Sequence, residues 1–224
     1  MIMKEEAYIQ LSENYPIKVG EFDLQILRIK EIDELFSHLL NKDPDALELT
    51  DERMPYWVEL WPSAIGLSSH LCKMRNAIHG KKIIELGCGL GLPGIVAAKL
   101  GGDILMTDYL DEAIAFAKIN WTKNLSAEFQ GKRIDWREVD KAIKYDIILA
   151  SDVAYESRSF NPLISSLKSL LKEDGTIYIS EPNRKFTSPF IKLLSKEFAV
   201  TKFDHNVVLD TISYVVSVYE CTFL

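Results

Sequence analysis

The chain has 224 residues, 47% hydrophobic and 26% charged, which is ample for one sizeable core and excludes a disordered or low-complexity chain. A net charge of −7 gives no electrostatic footprint for DNA or RNA, and no dense Lys/Arg run offsets it. Three cysteines, Cys72, Cys88 and Cys221, are too few and too dispersed for a disulfide framework, and no apolar stretch reaches membrane-spanning length, so a cytoplasmic chain with reduced thiols is expected. His38, His70, His79 and His205 are scattered without ligand-spaced partners, so no metal site is expected.

Around Gly20, Ile17–Ile26 alternates apolar and polar residues, which predicts a short hairpin. Glu31–Leu40 places Ile32, Leu35, Phe36, Leu39 and Leu40 on one face and predicts a short amphipathic helix. The polar, acidic stretch Asn41–Pro55 reads as a loop, so residues 1–55 form an extension and 56–224 the main domain. From Trp61 the rhythm changes. A helix is expected over Pro62–Met74, with proline in its first turn. Strands then alternate with helices: strand Lys82–Leu86, helix Pro93–Leu100, strand Asp103–Thr107, helix Asp111–Lys123, a weak strand Arg133–Trp136 and a strong one Tyr145–Ala150. Helix Ser159–Leu171 should stop near Gly175, followed by strand Thr176–Ser180, helix Ser188–Lys196 and two strands, Phe198–Phe203 and Tyr214–Phe223. The last two have no helix between them and predict an antiparallel hairpin. The whole is an α/β, Rossmann-like three-layer αβα sandwich with a seven-stranded, mostly parallel sheet.

Glu85-Leu86-Gly87-Cys88-Gly89-Leu90-Gly91-Leu92-Pro93-Gly94 joins a buried strand to a helix, where open α/β sheets bind ligands. Four glycines there let the backbone turn tightly and approach a ligand closely. The run also satisfies the G-x-G-x-x-G dinucleotide pattern, which alone discriminates little. Glu85 at the strand mouth would repel a pyrophosphate and favour the ammonium and sulfonium of S-adenosylmethionine. Asp108, ending the next strand, is placed to accept hydrogen bonds from ribose hydroxyls, with Asp111 the better helix cap.

Glu85-Leu86-Gly87-x-Gly89-x-Gly91-Leu92-x-Gly94 resembles the first motif of class I S-adenosylmethionine-dependent methyltransferases. Val58-Glu59-Leu60-Trp61-Pro62-Ser63-Ala64, Ile134-Asp135-Trp136 and Ser151-Asp152-Val153-Ala154-Tyr155 narrow the resemblance to the family of non-histone protein-lysine methyltransferases and their bacterial methyltransferase-like and nicotinamide N-methyltransferase-like relatives. The resemblance covers roughly Pro55–Glu181. It implies that Trp61 packs beside the cofactor, that Asp135 and Trp136 flank its adenine, and that Asp152 and Tyr155 line the methyl-acceptor site. The full cofactor set is Trp61, Glu85, Gly87, Cys88, Gly89, Gly91, Asp108, Tyr109, Asp135, Trp136 and Ser151. Ala154 replaces a bulkier residue found in many relatives, implying a wider acceptor pocket. Glu181-Pro182-Asn183-Arg184 reads as a plain turn.

The expected reaction is in-line methyl transfer to a nitrogen, with Asp152 orienting the amine. A protein lysine is the first acceptor, a small molecule the second, and a monomer the default state. An NAD-dependent oxidoreductase and a non-catalytic cofactor-binding module are the readings from other classes.

Overall fold

The computed structural model describes residues 5–30, 55–140, 142–183 and 187–224, together with 32, 33, 35 and 37. A helical turn, α1 (Glu5–Gln10), leads into the hairpin β1 (Ser12–Val19) and β2 (Phe22–Ile29). Of the helix expected over 31–40, the described positions are helical and Leu35 is buried; the rest of it, and the loop up to residue 54, fall outside the described residues.

The main sheet begins after a 3₁₀ turn at Tyr56–Val58 and the helices α2 (Pro62–Lys73) and α3 (Arg75–Ile78). Its first half alternates β3 (Lys82–Leu86), α4 (Leu92–Lys99), β4 (Asp103–Asp108), α5 (Asp111–Asn124), β5 (Gly131–Arg133) and β6 (Tyr145–Ser151). Its second half runs α6 (Phe160–Leu170), β7 (Leu171–Glu181), α7 (Thr187–Leu194), β8 (Phe198–Leu209) and β9 (Ile212–Phe223). The seven strands are ordered β5-β4-β3-β6-β7-β9-β8. All pairs are parallel except those made by β9, which lies antiparallel between β7 and β8.

Alternation along the central strands builds two cores. Ile83, Ile147 and Leu149 join the cluster that holds Leu67, Ile95 and Phe116 from α2, α4 and α5. Their neighbours Ile84, Ile148 and Ala150 join Leu163, Leu167 and Phe190 from α6 and α7 on the other face. Successive side chains point to opposite faces of a strand, so a strand covered by helices on both sides must be apolar throughout. That is why β6 reads as an unbroken apolar run. The N-terminal hairpin also contributes to the first core, through Val19, Leu24 and Ile26.

Several boundaries differ from the sequence reading. β5 ends at Arg133, and Trp136 instead opens a 3₁₀ turn capped by Asp135. α6 ends at Leu170 and β7 starts at the next residue; its register with β6 jumps from Tyr145↔Leu171 to Ile147↔Thr176, so Gly175 lies in a bulge rather than after a helix. β8 continues past Phe203 to Leu209, because His205, Val207 and Leu209 alternate inward while β9 supplies the ladder. The inward histidine disguised that alternation. α5 starts after Leu110, leaving Asp111 as its first residue rather than its cap.

Candidate functional site

β3 must reverse into α4 within residues 87–91. Gly87, Gly89 and Gly91 take φ values of 68°, 50° and 84°, where a side chain costs about 1–2 kcal/mol. Space acts in the same direction. A Cβ on Gly91 would lie 2.4 Å from Met106 Cε, and one on Gly87 2.9 Å from Val153 Cγ1. The turn is therefore bare backbone, and a cavity of about 270 Å³ lies over it.

Of the sequence-predicted site residues, all but Glu85 line this cavity. Gly87, Cys88, Gly89 and Gly91 belong to the turn. Cys88 N–H donates to the Thr107 carbonyl at 2.9 Å, and burial pushes its thiol well above the usual range, so it is an inert wall. Asp108 ends β4 with both carboxylate oxygens engaged, Oδ2 accepting from Gly89 N–H at 3.0 Å and Oδ1 from Leu110 N–H at 3.2 Å. Burial raises its pKa, and these backbone donors offset part of that rise. It thus joins the glycine turn to the end of β4 at the cavity wall.

Glu85 lies elsewhere. It is fully buried beneath the turn, with the Gly94 amide of α4 facing its carboxyl, and desolvation pushes its pKa well above the usual range. A Cβ on Gly94 would come 2.6 Å from its Oε2. Glu85 therefore lies below the turn and does not face the cavity, where it could repel a pyrophosphate. Strand order discriminates better. Counting from β3, the sheet reads 3-2-1-4-5-7-6, whereas the dinucleotide fold reads 3-2-1-4-5-6 with no antiparallel strand inserted.

On the far wall, Trp136 stands near Gly87, 3.6 Å from where its Cβ would be. Asp135 is already engaged: Arg137 Nε lies 2.9 Å from both carboxylate oxygens, and Arg137 N–H also donates to Oδ1. Burial alone would raise the Asp135 pKa, but Arg137 outweighs it and holds the group below the usual range. The same guanidinium lies 5.5 Å from the Tyr109 ring centre. Trp61 Nε1 donates to the Tyr56 carbonyl at 2.8 Å, which fixes the ring at the start of α2.

Ser151 and Asp152 come where β6 leaves the sheet. Asp152 has φ 56°, an unusual left-handed conformation for a residue other than glycine. Its N–H donates to Ser180 O at 2.9 Å, tying it to the end of β7. Ala154 is buried and its N–H donates to Glu181 Oε1 at 3.3 Å, so it faces the protein and does not widen the cavity. Tyr155 lines the cavity, its ring edge-on to Tyr56 with centroids 5.8 Å apart. Sequence reasoning did not single out Tyr56, Trp57, Arg137 and Arg158, which also line the cavity, as does Glu59 of the Val58–Ala64 motif. Only the aromatic run from Tyr56 to Trp61 carried a signal for any of them.

Bare glycine backbone, the Asp108 carboxylate and the Trp61 and Trp136 rings fit an adenosine ligand. The inserted antiparallel strand and this turn define the fold of the S-adenosylmethionine-dependent methyltransferases. Residues 41–197 match the family described as lysine methyltransferase, and the chain belongs to that family.

It is similar to a histidine protein methyltransferase 1 homolog of Dictyostelium discoideum, with 33% identity over 57% of this chain and 43% of that one. It is also similar to the protein N-lysine methyltransferase METTL21A of Mus musculus, with 31% identity over 66% of this chain and 71% of that one. The first relative is thus matched over less than half of its length. Among solved structures, magnesium protoporphyrin IX methyltransferase of Synechocystis with bound S-adenosylmethionine is 16% identical, covers 85% of this chain and 90% of its own, and has a TM-score of 0.57. That likeness is one of fold. No described helix is long and apolar enough to cross a membrane.

Proposed function

We propose that the chain transfers a methyl group to a nitrogen of a protein side chain, with lysine the acceptor. The observation that carries this reading is that Asp152 and Tyr155 line the same cavity as the glycine turn. S-adenosylmethionine supplies a methyl on a positively charged sulfur, which leaves as a neutral thioether without an acid. The work left to the protein is alignment and control of one proton.

Asp152 accepts an N–H of the incoming amine and turns its lone pair toward the methyl. Tyr155 and Tyr56 narrow the entrance around an extended side chain. A desolvated lysine shifts toward its neutral, nucleophilic form. The proton displaced on methylation passes to the Asp152 carboxylate or to water. Trp61, Gly87, Gly89, Gly91, Asp108, Tyr109, Trp136 and Ser151 hold the donor, and Asp135 acts through Arg137.

The relatives' names include both histidine and lysine acceptors, which supports a protein nitrogen as the shared chemistry. The acidic charge of −7 and three free thiols support a cytoplasmic protein that acts without nucleic acid. We take it as a monomer, with residues 1–55 as an extension of the methyltransferase domain.

Incubating extract with labelled cofactor tests the acceptor. A labelled protein band, with the label on lysine after hydrolysis, is expected; label confined to small molecules refutes it. Asp152→Asn is expected to lower turnover at least a hundredfold while binding S-adenosylhomocysteine within threefold of the parent. Normal turnover in that variant would remove Asp152 from the chemistry.

A further inference from the structure

The N-terminal hairpin and the glycine turn share one residue. Asn120 on α5 is fully buried. Its Oδ1 accepts Leu27 N–H at 2.7 Å, while its Nδ2 donates to Leu27 O at 3.2 Å and to Leu90 O at 3.0 Å. One helical turn later Asn124 repeats the first half of this pattern on Gln25, accepting its N–H at 2.9 Å and donating to its carbonyl at 2.8 Å.

The spacing has a simple origin. Four helical residues rise about 6 Å, and two strand residues advance about 6.6 Å. Asparagines four apart on α5 therefore meet residues two apart on β2. Leu27 and Gln25 are alternate residues of β2, so their N–H and C=O groups point to the same side, away from β1. The outward peptide groups of β2 thus find a partner in two carboxamides, which stand in for a neighbouring strand.

Asn124 Nδ2 also donates to the Asn120 carbonyl at 2.8 Å, whereas Asn120 alone of the two reaches the glycine turn. Leu90 lies between Gly89 and Gly91 and lines the cavity. Both hydrogens of the Asn120 Nδ2 are used, one on the hairpin and one on the turn. A move of β2 away from α5 removes the groups that hold the Asn120 side chain in place, and with them the restraint on the Leu90 carbonyl.

We propose that Asn120 is a positioning residue for the cofactor turn, coupling docking of the N-terminal hairpin to cofactor binding. This rests on the methyltransferase reading of the site. Coupling is reciprocal: if the docked hairpin favours the cofactor, the cofactor must hold the hairpin down.

The test uses the full chain and S-adenosylhomocysteine. Hydrogen exchange at the Leu27 and Gln25 amides is expected to slow at least threefold when it binds. By calorimetry, Asn120→Ala is expected to bind it about tenfold more weakly. Asn124→Ala, which loosens the same strand without touching the turn, is expected to stay within twofold while Gln25 exchanges faster. Unchanged exchange at Leu27 on binding, or parental affinity in Asn120→Ala, overturns the coupling and leaves Asn120 a purely structural residue. If Asn120→Ala does not fold, the exchange comparison on the unsubstituted chain decides alone. Failure of the unsubstituted chain to bind S-adenosylhomocysteine would instead overturn the cofactor assignment, and the coupling with it.

Discussion

Replacing Gly91 by alanine tests how much of the cofactor turn is dictated by packing rather than by backbone conformation. Gly91 has φ 84° and Gly80 has φ 71°, so an added Cβ strains both backbones similarly. That strain is about 1–2 kcal/mol, reduced by about 0.4–1 kcal/mol because alanine restricts the unfolded chain. The surroundings differ. At Gly80 nothing lies within 4 Å of the added carbon, whereas at Gly91 it meets Met106 Cε at 2.4 Å and Ala117 Cβ at 3.3 Å. Met106 is fully buried, so its terminal methyl can shift only by repacking the core around it. Overpacking of this kind costs about 1–3 kcal/mol more.

Gly80→Ala should therefore lose about 1 kcal/mol and Gly91→Ala about 2–4 kcal/mol in urea unfolding of the cofactor-free chain. Gly89→Ala completes the series. Its Cβ makes only an ordinary contact, 3.5 Å from Trp57 O. Its stability loss should match Gly80→Ala, yet its affinity for S-adenosylhomocysteine should fall at least tenfold, because Gly89 lines the cavity. Equal losses for Gly80→Ala and Gly91→Ala would show that the Met106 packing plays no part in shaping the turn.

Arg28→Ala should cost about 1–2 kcal/mol at pH 7, since the guanidinium reaches Asp210 at 2.6 and 2.9 Å and Glu13 at 3.0 Å. Arg28 holds the Asp210 pKa below its usual value, so this stability is present above about pH 4 and lost as pH falls through the lower folded value. Denaturant titrations should show parent and variant converging in acid; a pH-independent gap would contradict the ion pair.

His70 Nδ1 lies 3.1 Å from His205 Nε2, and burial, then the second imidazole, lowers the His70 pKa to about 4. A base with a depressed folded pKa stabilises above its unfolded value of 6.5 and loses that contribution toward pH 4. Urea midpoints should drop between pH 7 and pH 5, and His70→Phe should flatten the slope; an equal slope in that variant would assign the effect elsewhere.

Most of the sheet was legible because burial on both faces writes itself as apolar runs at β3 and β6. The glycine turn was legible because only glycine tolerates its φ values and its neighbours. Other parts depended on residues far apart in the chain. β8 hid behind His205, a polar residue made internal by His70, which lies on a different element. Glu85 reads as a rim carboxylate until the close approach of α4 shows it enclosed. Tyr56, Arg137 and Arg158 sit on irregular turns whose direction no periodicity encodes. Asn120 is a polar residue on the buried face of α5, among Ala113, Phe116, Ala117 and Trp121, and only the backbone of the docked hairpin and of Leu90 explains a carboxamide there.

The strand inserted out of sequence also sets an order of assembly. β7 pairs with β9, and β8 reaches the sheet only through β9. On a ribosome adding about 5–20 residues per second, β8 emerges while the seat beside β7 is still waiting for its rightful occupant. For some seconds the nascent sheet carries an open flank of apolar strand, a template for pairing with a neighbouring nascent chain. β9 is thus the strand that covers the flank of β7, and β8 takes over the edge.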